Sequence, residues 1–211
     1  MSVSAEVVKK LRDISGAPMM ECKKALEEAN GDLEQAFTVL RKRGQATAAK
    51  KAHRVATEGS VGCYLHAGGK IGVMVEVNCE SDFVARNEEF QQLVHDVAMQ
   101  ICATDPRFTR KEDVSPDVLE REREVLRSQA AATGKPDAVI ARIVEGKLEK
   151  FYEDYCLYEQ HFIKDPTGTS TVRELINSKI AKFGENITVR RFSRFKVGEG
   201  IKAAAEGAAT T

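Results

Sequence analysis

A chain of 211 residues can hold one sizeable domain, or a domain with a small module attached. A hydrophobic share of 42% and a charged share of 30% are ordinary for a folded globular protein, which excludes a globally disordered chain. Lys+Arg and Asp+Glu both total 32, so no net field draws the chain to nucleic acid or an anionic membrane, and no apolar run approaches bilayer-crossing length.

Residues 1–44 predict three short helices around one small core. Ser4 is placed to cap the first, and Val7, Leu11 and Ile14 recur at i, i+4, i+7 before Gly16. Pro18 suits the first turn of the second helix, where its missing N–H costs nothing. Met19, Cys22, Leu26 and Ala29 form its apolar stripe, closed by Asn30-Gly31. Asp32 caps the third, with Gln35 placed for a capping box. Leu33, Ala36, Phe37 and Leu40 make its inner face, and Gly44 reads as its end. Residues 45–57 read as a basic, partly helical linker. From Arg41 to Arg54 there are six cations (Arg41, Lys42, Arg43, Lys50, Lys51, Arg54) and no acid.

Residues 58–197 predict an α+β core with a three-stranded, antiparallel sheet packed with helices. Ser60 to Ala67 alternates Val61, Cys63 and Leu65 against Gly62, Tyr64 and His66. Gly68-Gly69 supplies the hairpin turn, and Ile71, Val73, Val75 and Val77 share one face of the returning strand. Asn87 or a neighbour caps a helix carrying Phe90, Leu93, Val94, Val97 and Ile101 on one stripe. Ser115-Pro116 opens a densely charged, solvated helix with Leu119, Val125 and Leu126 as its thin apolar face. Pro136 opens another, with Ile140, Ile143, Val144, Leu148 and Phe151. Thr171-Val172-Arg173-Glu174 is a capping box for a helix that Gly184 stops. A last strand, 186–197, is expected to bury Ile187, Val189, Phe195 and Val197, and the Ala- and Gly-rich tail 198–211 is expected to be loose.

Five scattered cysteines (22, 63, 79, 102, 156) form no Cys-x-x-Cys, so they read as small thiols in a reducing compartment. Residues Met1 to Glu6 lack the cationic head and apolar stretch of a secretion signal, and a cytoplasmic location is expected. The four histidines (53, 66, 95, 161) show no metal-ligand spacing and no Gly-rich phosphate loop appears, so neither enzyme chemistry, a metal nor a cofactor is expected. A nucleic-acid module built on Arg41 to Arg54 is the main competing reading, but that segment has no aromatic for base stacking. Direct nucleic-acid binding is therefore not expected.

The remaining feature is the junction Ser81-Asp82-Phe83-Val84, between a strand pattern and a helix pattern, where binding residues tend to sit. Two readings stand for it. Asp82 caps the coming helix and Phe83 tucks into its own core, or the pair projects into another molecule. Spacing alone favours the first.

Four stretches, in order along the chain, resemble the elongation factor Ts family, bacterial guanine-nucleotide exchange factors for the GTPase elongation factor Tu. They are Val8 to Leu26 (VKKLRDISGAPMMECKKAL), Val75 to Arg86 (VEVNCESDFVAR), Ile143 to Phe151 (IVEGKLEKF) and Gly184 to Arg191 (GENITVRR). Ser81 stands where the family usually has threonine, which keeps a hydroxyl cap. The resemblance implies that 1–44 is a ubiquitin-associated-like bundle and that elongation factor Tu is the partner. It implies that Ser81, Asp82, Phe83 and Val84 enter that GTPase near its Mg²⁺ and nucleotide, reversing the order of the two readings above. Asp82 is given no metal-ligand role. On the bundle, Met20 lies off the apolar stripe and Arg12 off the buried face, so Arg12, Met19 and Met20 are the expected second contact. The chain is similar to the family's short form, whose members pair to rebuild a full binding surface, leaving monomer and homodimer both open.

Overall fold

The computed structural model describes residues 3–132 and 134–201. Three helices open it: α1 (Ala5–Ser15), α2 (Met19–Glu28) and α3 (Leu33–Lys51). The hairpin β1 (Glu58–Leu65) and β2 (Ile71–Cys79) leads to α4 (Asp82–Ala85) and α5 (Glu88–Thr104). The helical pair α6 (Pro116–Ala131) and α7 (Asp137–Tyr155) is followed by α8 (Val172–Phe183) and β3 (Thr188–Lys196). The class is the expected α+β, an N-terminal helical bundle and then an antiparallel sheet in the order β1-β2-β3. The expected loose tail lies, after Ile201, outside the described residues. No helix among the described residues is long and apolar enough to cross a membrane.

Local chemistry sets the helix starts. The side chains of Ser4, Asp32 and Asn87 accept from the N–H groups of Val7, Gln35 and Glu89, and Thr171 with Glu174 completes the capping box. The α5 stripe is buried throughout, packed on Val73, Val75 and Val77 of the sheet's inner face. In β1 it is Gly62 and Tyr64 that face α5, whereas Val61 and Leu65 are exposed. A Cβ at Gly62 would lie 2.3 Å from Val94 Cγ1, so a side chain there would have to displace Val94 for the helix to sit this close.

Three expectations are corrected. The bundle's core is Val8, Leu11, Cys22, Ala25, Leu26, Ala29 and Ala36. Ile14 and Met19 are exposed, not part of the buried stripes. Ile14 sits in the last turn of α1, beyond the bundle's seam, and lines a groove of about 530 Å³ with Phe37, Leu40, Phe162 and Leu175.

Gly44 does not end α3. One helical glycine costs about 1 kcal/mol, and contacts with α8 outweigh it. Arg41 pairs with Glu174, Lys51 Nζ donates to the Gly184 carbonyl at 2.6 Å, and Ala48 is buried in the sheet's core. Residues 45–51 are thus helix, and four of the six cations are engaged: Arg41, Lys51, Arg43 with Glu21 and Glu28, and Arg54 with Glu80.

The third correction concerns β3. Ile187 and Val189 are buried as expected, but Phe195 and Val197 are exposed. A bulge intervenes. Val77 pairs with Val189 and Glu76 with Arg191, leaving Arg190 unmatched. One extra residue moves every later side chain to the opposite face. Phe192 and Arg194 take the inner positions, and Phe195 turns outward.

Candidate partner-binding site

β2 delivers the chain to Ser81, and α4 starts one residue later. Ser81 is extended (φ −125°, ψ 153°), and its hydroxyl accepts the Val84 N–H, so Ser81 and not Asp82 is the cap. Val84 and Ala85 point into the core, at 6% and 7% exposure. A single helical turn pinned by those two residues must put the intervening face in solvent. Phe83 is 81% exposed, and Asp82 is exposed with its carboxylate 3.0 Å from Arg86 Nη2. The four residues therefore divide into two anchors, Ser81 and Val84, and two presented groups, Asp82 and Phe83.

An exposed phenylalanine forgoes roughly 1.5–3 kcal/mol of burial, while the backbone beneath it is tightly held. The Cys79 thiol donates to the Ser81 carbonyl at 3.2 Å. Burial, with the Glu185 charge adding to it, pushes that thiol up to about 11, so it remains a protonated donor at neutral pH. Glu185, on the corner between α8 and β3, accepts from both the Glu80 and Ser81 amides. Sequence reasoning missed Glu185 because its contacts lie 104 and 105 positions away. The Gly184-Glu185-Asn186 step read as a helix stop and the opening of a family-like stretch, with nothing to single out Glu185.

The bundle residues lie on a different support. Arg12 on α1 and Met19 and Met20 at the start of α2 are all exposed, Met20 by 61%, above a core separate from the one that anchors Val84. Ile14, expected inside, is a further exposed apolar side chain on α1.

A helical bundle strapped to an α+β core, with an acid and an aromatic held out on a braced turn, has the build of a protein that works by surface contact. A family model described as "Elongation factor TS" matches residues 2–170. Relatives named elongation factor Ts include that of Koribacter versatilis, 63% identical over 94% of this chain and 90% of its own length. Those of Geobacter sulfurreducens (56%; 96% and 93% covered) and Caldanaerobacter subterraneus (58%; 95% and 99% covered) are similar over the same span. The chain belongs to the elongation factor Ts family and is a translation elongation factor of protein biosynthesis.

Proposed function

We propose that this protein is the guanine-nucleotide exchange factor that binds elongation factor Tu·GDP in the cytoplasm and promotes GDP release and GTP loading. The observation that carries this reading is Phe83, a large apolar side chain held in solvent by a rigid turn inside a family of elongation factors. Phe83 acts as a steric wedge beside the GTPase's Mg²⁺ and nucleotide, and Asp82 hydrogen-bonds in the partner to redirect its groups. Mg²⁺ demands near-ideal octahedral geometry through few protein ligands, so a small shift of the partner's backbone weakens nucleotide strongly. Ser81 and Val84 hold the wedge from inside. No bond is made or broken in this factor.

Linkage fixes the cycle. If the factor weakens GDP binding, GDP weakens factor binding by the same ratio. The tight species is factor with nucleotide-free GTPase, which GTP then splits. The test loads elongation factor Tu with fluorescent GDP, adds excess unlabelled nucleotide, and follows release with and without this protein. Acceleration is the expected result, and an unchanged rate would remove the reading.

The chain works through two contact units in this account, the bundle (1–44) and the core (58–197). Each tenfold in rate requires about 1.4 kcal/mol off the barrier, more than one side chain can supply for a thousandfold effect. Arg12, Met19 and Met20 provide the second grip. Replacing Met19 and Met20 together by Ala is expected to raise the half-saturating factor concentration and to lower the saturated release rate, each about three- to tenfold. Each shift corresponds to roughly 0.7–1.4 kcal/mol. A titration of release rate against factor concentration reads both.

We also propose that two copies pair through the outer face of the sheet. Leu65, Gly72 and Phe195 form one cross-strand row there and Cys63, Met74 and Ser193 the next. Leu65, Met74 and Phe195 are exposed, Phe195 by 71%. The patch ends in Glu76, whose carboxylate Arg190 and Arg191 hold down at about 2. An exposed apolar patch with a polar rim suits a two-fold contact. Sedimentation velocity at tens of micromolar should give a dimer for the native chain and a monomer for Phe195→Glu. A native monomer there would refute the pairing.

A further inference from the structure

The β2–β3 ladder stops at the pair Asn78 and Thr188. Glu80 and Ser81 lie beyond it, and their amides still require acceptors. One carboxylate takes both. Glu185 Oε2 accepts the Glu80 N–H at 3.1 Å and the Ser81 N–H at 3.0 Å, and Oε1 accepts the Ser81 hydroxyl at 2.6 Å. Because that hydroxyl spends its only proton on Glu185, its lone pairs are left to accept the Val84 N–H that starts α4. The carboxylate therefore fixes the cap as well as the backbone before it.

The corner carrying Glu185 is itself tied down. Glu80 Oε1 accepts the Asn186 N–H at 2.6 Å, so each segment lends the other a carboxylate. The Arg54 carbonyl accepts from Asn186 Nδ2 at 2.8 Å, and Lys51 Nζ binds the Gly184 carbonyl. Hydrogen bonds to an ionised acceptor are shorter and about twice as strong as neutral ones. Two of the three that Glu185 accepts come from Ser81, the residue that caps the presented turn, and the third from Glu80 just before it.

We propose that Glu185 is the positioning residue of the Asp82-Phe83 step: it touches no partner, but sets the direction in which Phe83 is held. This rests on the exchange reading above and adds to it a residue that acts only through Ser81. Glu185→Ala is expected to lower the saturated GDP release rate at least tenfold while the half-saturating concentration stays within twofold, since the bundle contacts remain. Glu185→Gln keeps one acceptor oxygen and should fall between Ala and the native chain. In a Phe83→Ala background, Glu185→Ala should cost clearly less than in the native chain, because only Asp82 is left to be misaimed. Hydrogen exchange at the Glu80 and Ser81 amides should accelerate in Glu185→Ala, with the Val75 and Val77 amides unchanged.

A native saturated rate in folded Glu185→Ala, or an effect additive with Phe83→Ala, overturns the assignment. If Glu185→Ala does not fold, Glu185→Gln decides: an intermediate rate at native half-saturation supports the role and a native rate overturns it. If Phe83→Ala itself exchanges like the native chain, the wedge reading fails. The amide-exchange arm then still tells whether Glu185 holds the turn.

Discussion

Phe83→Ala is expected to leave the protein folded and to reduce its acceleration of GDP release about ten- to a hundredfold. The side chain is 81% exposed, so its removal opens no cavity and the melting temperature should move by no more than a degree or two. What is lost is the apolar surface that Phe83 would bury in the partner. That burial is worth roughly 1.5–3 kcal/mol for a phenylalanine, and each 1.4 kcal/mol is a factor of about ten in rate. The remaining acceleration belongs to Asp82 and the bundle. Release of fluorescent GDP at saturating factor, beside a melting curve, makes the test. Native exchange by the variant would mean that the exposed ring is idle, and a collapsed melting temperature would mean that it packs inside.

Gly59→Ala is expected to cost about 3 kcal/mol of folding stability or more. Gly59 pairs with Asn78 at the foot of the presented turn and has φ +146°, a region essentially closed to side chains. A Cβ there would lie 2.2 Å from the Val77 carbonyl oxygen and 2.7 Å from the Asn78 Cα, both main-chain atoms of the central strand. A flexible side chain could swing aside, but this backbone cannot. With a urea dependence of about 1–3 kcal/mol per molar, the unfolding midpoint should fall by at least about 1 M with an unchanged slope. An unaltered midpoint would show that β1 can re-register at no cost.

Much of this was legible from periodicity. The Gly68-Gly69 hairpin, the α5 stripe, the capping box at Thr171 and the strand-to-helix step at Ser81 all express local rules, and each is where those rules put it. What escaped was non-local. Phe195 reads as inward by alternation, but the unmatched Arg190 lies in the pairing with β2, which no single strand displays. Gly44 reads as a stop because its neighbour α8 is over a hundred residues away in the chain. At the site, the acid beside the aromatic was visible, but whether Phe83 points in or out depends on Val84 and Ala85 being taken into the core. Glu185 had no local signature, since its carboxylate answers a need created at the end of another strand.

The passage of α3 straight through Gly44 has a consequence for how the molecule would meet its partner. One rod of 19 residues, about 28 Å long, has Ala36 in the bundle's core near one end and Ala48 in the sheet's core near the other. On the function proposed above, the two contact regions would be set like the jaws of a caliper, at a gauge that one helix fixes before any encounter. Little orientational freedom is left to surrender on docking, which favours affinity. The same stiffness makes the gap selective, because a target whose two footholds are spaced differently can engage only one jaw.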